Sequence, residues 1–409
     1  MRRARPLARR SATDWSFRVL LAALIALTGG LAIARTLGST IRTSDPARAH
    51  GLSLKDGRIT AVYAASLAGA EATAQQRRVA DRWARDALRQ DPTAVIAAST
   101  LGLNAQVRGD VATARRFFTY SETLSRRDLQ TQLWAVENAV AGGNIAQALR
   151  HYDVALRTSR IAADLMFPVM ASAISDATIS DALARTLATR PPWAENFIDH
   201  AASNAPDSRA AVRLLARLRQ LDMPVSQEVQ AGVIGRLLDQ EHVADAWSFY
   251  ASIRPRATRI ASRDPRFTAD VSAPSRFDWM AINDGGVSAV LQQGNGGGVL
   301  DFSVGPGAAG VVLQQVQVLP PGRYRLRGHS VGIAQAPGAQ PYWQLICRDG
   351  RELGRIPVPN SDVAGGMFGG DVQVTNACPV QTLALIARPS DAMAGVTGQI
   401  DRVQLALAQ

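Results

Sequence analysis

Lysine is almost absent from this chain. Lys55 is the only one among 45 basic residues, the rest being arginine, a skew of the kind a GC-rich genome produces. Cysteine is scarce as well: Cys347 and Cys378 are the only two, too few for a zinc framework built on thiolates. The five histidines, at 50, 151, 200, 242 and 329, are scattered without pairing, which leaves no cluster with metal-ligand spacing. Long apolar runs are equally rare, and only residues 19–34 are continuous enough to approach a membrane span. What remains is a folded chain: 409 residues with 47% hydrophobic and 19% charged content leave room for two or three domains with proper cores.

The net charge of +11 suggests nucleic acid, but its distribution excludes that partner. Residues 1–50 carry nine Arg against two Asp, residues 51–260 carry 25 basic against 21 acidic, and residues 261–409 hold 11 of each. A nucleic-acid binder concentrates positive charge on a folded surface; here most of it flanks an apolar segment. The pairs Arg77-Arg78, Arg115-Arg116 and Arg126-Arg127 read as solvated helix faces.

That segment organises the amino terminus. Residues 1–18 form a basic tail with Arg2, Arg3, Arg5, Arg9, Arg10 and Arg18, and "VLLAALIALTGGLAIA" follows before Arg35. Sixteen helical residues cover about 24 Å, short of a ~30 Å hydrocarbon core, and snorkelling Arg18 and Arg35 extend it. The charge bias predicts a single-pass anchor over 19–37, with its N-terminus cytoplasmic, in a bacterial inner membrane and the bulk in the periplasm. The alternative is a signal peptide cleaved at Ala32-Ile33-Ala34 or Ala47-Arg48-Ala49. Residues 38–59 read as a linker.

Residues 60–255 are alanine-rich and helical in pattern, with a period of 34. Ala80, Ala114, Ala148 and Ala182 stand at that spacing, followed in register by Ala84, Phe118 and Tyr152, then Ala87, Ser121 and Ala155. Gly109-Asp110 recurs as Gly143-Asn144, Leu101-Gly102 precedes Ala114, and Pro92 closes the first unit. This pattern resembles the tetratricopeptide repeat, an all-α solenoid in which small residues let paired helices approach and an aromatic fills the gap between pairs. Ala246 and Tyr250 repeat the small-aromatic pairing, while Pro168, Pro191-Pro192 and Pro206 interrupt the pattern between 160 and 225. The resemblance implies Ala80, Ala84, Ala87, Gly102, Ala114, Phe118, Ala148, Tyr152 and Ala155 as packing residues. It also implies a groove for envelope protein partners, or else a spacer.

After a linker at 256–265, residues 266–409 turn to Gly, Val, Gln and Pro with alternating runs such as "GVLDFSV" and "YWQLIC", the pattern of an all-β antiparallel sandwich. Pro320-Pro321-Gly322 joins two of its strands. In an oxidising compartment Cys347 and Cys378 most simply form one disulfide, the alternative being two core thiols. "DPRF", "LPPGRYRLR" and the closing "GQIDRVQLAL" resemble jelly-roll carbohydrate-binding modules. That likeness implies glycan contact and, through Asp401, a structural calcium; no other cofactor is implied. Stacking on a sugar needs an aromatic face, which nominates Trp279, Tyr342 and Trp343. Adjacent strand residues point oppositely, so at most one of Tyr342 and Trp343 faces out, and the competing placement for both tryptophans is the core.

Gly328-His329-Ser330-Val331-Gly332 matches the G-x-S-x-G nucleophile elbow in letters only. His329 is the last histidine, so none follows Ser330, and "VGIAQAPGAQP" cannot form the helix that the elbow requires. The carboxylate pairs Asp278/Asp284 and Asp349/Glu352 lie in turn-like contexts, without the density of a glycosidase cleft. No catalytic residue is assigned. The order of tail, span, helical repeats and sandwich resembles accessory proteins of bacterial exopolysaccharide or capsule systems. The resemblance implies a non-enzymatic scaffold with a protein-binding groove and a sandwich touching glycan or protein. A polysaccharide hydrolase or lyase, and a pure protein adaptor, are the alternatives.

Overall fold

The computed structural model describes residues 12–53, 55–294 and 297–408. Among them 14 helices precede ten strands, and the chain divides into two compact units between Ala163 and Asp164.

The first unit begins with α1 (Ala12–Ile41). Its apolar part, Trp15–Ile41, is 27 residues long, and its most apolar 18-residue stretch has nothing packed around it. At 1.5 Å per residue that is about 40 Å, enough to cross a bilayer. The last turn meets α2 (Pro46–Leu52) and α3 (Gly57–Ser66). Gly38 is the contact point, since a Cβ there would stand 3.4 Å from both the Ala49 carbonyl and Ile59. Residues 38–59, expected as a linker, are therefore largely helical. The reason is two aspartate caps: Asp45 accepts from the Arg48 amide, and Asp56 from those of Arg58 and Ile59.

α3 pairs with α4 (Ala74–Gln90), α5 (Val95–Val107) with α6 (Val111–Leu124), and α7 (Leu129–Ala141) with α8 (Ile145–Thr158). The recurring Gly-Asp/Asn is the turn inside the second and third pairs. Gly109 and Gly143 take φ of +77° and +69°, a left-handed conformation glycine adopts without penalty. Asp110 and Asn144 then cap α6 and α8 by accepting from Thr113 and Gln147. A capping box between Thr73 and Gln76 starts α4. A buried polar knot, invisible to the periodicity, ties α4 to α5: the Asn104 amide donates to Asp81 (2.7 Å) while its carbonyl accepts from Arg77.

In the second unit, which begins two residues into α9 (Ala162–Ala173), α10 (Ala177–Ala188), α11 (Ala194–Asn204), α12 (Ser208–Gln220), α13 (Gln227–Asp239) and α14 (Val243–Ile253) continue the helical region. They share that unit with two five-stranded antiparallel sheets. The strands are β1 (Met280–Ala281), β2 (Val287–Gln292), β3 (Val299–Val304), β4 (Gly310–Gln317), β5 (Gly322–Val331), β6 (Tyr342–Cys347), β7 (Glu352–Pro357), β8 (Met367–Val374), β9 (Gln381–Ala387) and β10 (Val396–Leu407). The front sheet runs β2-β3-β10-β5-β8 and the back sheet β1-β4-β9-β6-β7. Alternate residues such as Phe302, Tyr324, Leu326, Leu345, Leu385 and Val403 fill the core between them.

The expected linker at 256–265 is an ordered strap. Ala261 bridges Ala406, and Ser262 exchanges bonds with the Leu405 backbone. Arg263 is buried: it donates to the carbonyls of Phe277 and Val316 and to Gln317, and lies 5.5 Å from the Trp247 ring centroid. Burial pulls its pKa down to about 10. Tyr250 of α14 donates to Asp278 (2.8 Å), and burial together with that carboxylate raises its pKa. Helices and sandwich thus share an apolar seam.

Candidate functional site

The places that bear on function begin with Ser330. It lies inside β5, where the alternation turns Tyr324, Leu326, Gly328 and Ser330 inward and Arg323, Arg325, Arg327 and His329 outward. The Ser330 hydroxyl is 1% exposed and bonds the Ser361 hydroxyl (3.1 Å) and the Gly366 carbonyl. It has neither the turn nor the access of a nucleophile. Gly328 is required by packing, because a Cβ there would stand 2.1 Å from the Phe368 ring.

The aromatic candidates separate. Trp279 and Trp343 are 4% and 0% exposed and meet edge to face at 5.8 Å in the core. They have no face to offer a sugar, and that nomination is corrected: the inner side of each strand belongs to the opposing sheet. Tyr342 is half-buried on the outer side of β6, but Arg355 and Arg388 stand 4.3 and 4.8 Å from its ring centroid. Its π-system is already engaged with cations.

Asp401, expected to hold calcium, is the extra residue of a β-bulge in β10 and takes the His329 ring at 2.8 Å instead. Among the described residues no three His, Cys, Asp or Glu side chains gather as a metal site. The carboxylate pairs are likewise occupied. Asp278 accepts from Tyr250 and Ser275, Asp284 from the Gly285 amide, Asp349 from the Arg351 amide, and Glu352 from Gln344 and Arg355. Cys347 and Cys378 are disulfide-bonded, closing a 31-residue separation, which fits an oxidising compartment.

The outer face of the front sheet carries a feature that alternation placed but could not evaluate. Arg323, Arg325 and Arg327 stand in line on β5, beside Arg402 on β10. Asp371 on β8 holds Arg323 and, in a two-pronged contact at 2.6 and 2.9 Å, Arg325. Those guanidiniums, Arg325 first, hold the Asp371 carboxyl well below the usual carboxylate range. Arg327 makes no ion pair among the described residues, and the residue across from it on β8 is Gly369. On the β10 side a trough of about 440 Å³ runs along the arginines, lined also by Gln404, Ala406, Leu407 and Ala408.

In the first unit the packing residues form the interior of the helix pairs. Ala80, Ala84, Ala87, Ala114, Ala148 and Ala155 are buried and Tyr152 is half-buried. Phe118 is buried against Gly102, where a Cβ would lie 2.9 Å from the ring, and it stacks on Trp134 of the next pair at 4.7 Å. A separate groove of about 520 Å³ opens between α3, α5 and α7, with Ala65, Ala68, Arg77, Leu103, Val107 and Gln130 in its lining.

No protein-family model matches the chain, and no curated protein matches it. Among solved structures it is similar to the enzymatically active domain of bacteriophage CBA120 tailspike protein 4. That similarity has 12% identity and a TM-score of 0.23, and covers 32% of this chain and 19% of that one. An overlap so slight carries no argument about this chain.

Proposed function

We propose that the protein is a non-enzymatic scaffold of the bacterial cell envelope. In this reading α1 anchors it in the inner membrane, with the arginine-rich tail in the cytoplasm and all later residues in the periplasm. The helix pairs, which resemble tetratricopeptide repeats, seat a segment of a protein partner. The sandwich contacts glycan or protein during exopolysaccharide assembly or export.

The observation that carries this reading is the groove between α3, α5 and α7. Its lining combines Ala65, Ala68, Leu103 and Val107, the last 56% exposed, with the polar side chains of Arg77 and Gln130. Such a surface suits an inserted apolar side chain flanked by polar backbone. The arginines before the span and the disulfide after it support the orientation.

A deletion strain tests the role. Loss of the gene should lower secreted polysaccharide, the wild-type gene should restore it, and Val107→Glu should accumulate normally yet fail to restore it. Unchanged polysaccharide in the deletion strain would sink the assembly role, and full restoration by Val107→Glu would sink the groove. The adaptor without glycan affinity remains a second reading, favoured by the burial of Trp279 and Trp343.

A further inference from the structure

The geometry points to a binding site for a carboxylate-bearing polysaccharide in the trough along β5 and β10. The inference rests on reading the sandwich as the part that contacts glycan, and it names the chemistry of that glycan.

Residues 261–409 hold 11 basic and 11 acidic side chains, so the sandwich region is neutral and a charged face within it is an arrangement. On the outer face of β5, β8 and β10, four arginines (323, 325, 327 and 402) oppose only Asp371 and Asp401. Three of the four stand at alternate positions of one strand, about 7 Å apart, giving a straight row rather than a cluster. Asp371 pins two guanidiniums through a minority of their N–H groups, leaving the other donors held in position. Each guanidinium carries five donors in a planar fork that fits a carboxylate. Arg327 keeps its whole fork open.

The class of ligand follows from what the face lacks. β5, β8 and β10 present no Phe, Tyr or Trp outward, so a neutral sugar finds no stacking platform and an interface with protein finds no aromatic anchor. Both β5 and β10 are interior strands whose backbone is already paired on either side, which prevents a peptide from adding as a further strand. The row lines a recessed trough with Gln404, Ala406, Leu407 and Ala408, a shape that admits an extended polymer and not a flat bilayer. A linear chain with repeated carboxylates and hydroxyls meets the arginines and Gln404 together.

The test uses the full chain in phosphatidylcholine nanodiscs at low salt, titrated with sodium polygalacturonate, dextran, poly-L-glutamate and phosphatidylglycerol vesicles. Polygalacturonate should bind and dextran should not, with binding weakening as salt rises. Arg327→Gln combined with Arg402→Gln should weaken polygalacturonate binding about tenfold. Both side chains are exposed and outside any ion pair among the described residues, and unchanged hydrogen exchange over β5, β8 and β10 checks folding. Equal binding by the double variant, or none by the wild type, overturns the site. Stronger binding of poly-L-glutamate or of vesicles overturns the glycan assignment. Any of these results can stand beside an intact polysaccharide phenotype for the groove, so the two readings fail separately.

Discussion

Gly328→Ala is the sharpest probe of the sandwich. Built on the native backbone, the added methyl would lie 2.1 and 2.5 Å from two Phe368 ring atoms and 2.7 Å from the Arg402 carbonyl oxygen. Carbon atoms settle at about 3.5–4.0 Å, so the Phe368 ring must retreat by more than an ångström, and the Arg402 carbonyl must give way as well. Neither can do so freely: Phe368 is 6% exposed, and Arg402 adjoins the bulge in a ladder bonded to β5. Overpacking costs about 1–3 kcal/mol and occasionally more, and with backbone as one obstacle we expect about 3 kcal/mol. Because the chain has two units, a single melting temperature is a poor reporter. Hydrogen exchange read on peptides from β5, β8 and β10 is the suitable assay, and a 3 kcal/mol loss corresponds to roughly 100-fold faster exchange. Phe368→Leu should cost about 1 kcal/mol alone, yet return part of the loss when combined, a non-additivity of about 1–2 kcal/mol. Unchanged or slower exchange in Gly328→Ala would refute the close approach of β5 to Phe368 and with it the packing reason for this glycine.

Three further outcomes are expected. Replacing Cys347 and Cys378 with serine should cost the second unit about 3–4 kcal/mol from the loop they close; a reductant that leaves wild-type exchange unaltered would contradict this. Ser330→Ala should lose about 1 kcal/mol with its buried hydroxyl bonds and leave any ester hydrolysis unchanged, whereas loss of an esterase signal would restore the nucleophile. Asp371 should titrate below the ordinary carboxylate value of about 3.9. Its folded pKa is lowered by Arg325 and Arg323, so its contribution is present at neutral pH and is lost as pH falls through that value. A midpoint at or above 3.9, followed by NMR of the side-chain carboxyl, would count against the two-arginine clamp.

Repetition made the first unit legible. A turn used once is ambiguous, but Gly109-Asp110 and Gly143-Asn144 at one interval fix both the left-handed glycine and the cap that follows. The sandwich strands were legible as alternation, which left at most one of Tyr342 and Trp343 on the outer side. Alternation cannot say which side meets the opposing sheet, and for that reason Trp279 and Trp343 were open between core and surface. Nor can it register the extra residue of a bulge, which is how Asp401 came to face His329. Residues 38–59 and 256–265 looked like linkers because their order rests on single contacts. Asp45 and Asp56 act as caps, and Arg263 is a charge buried among carbonyls and rings. None of these leaves a periodic trace.

The strap at Ala261–Arg263 also decides where the chain can be cut. A fragment starting at residue 266 would lose the Ala261 bridge and the guanidinium that fills the space among Trp247, Tyr250 and Phe277. Its cut surface would expose Phe277 and leave the Phe277 and Val316 carbonyls without their donor. A piece meant to carry the arginine row in native form therefore has to keep the strap and α14 together with the sandwich.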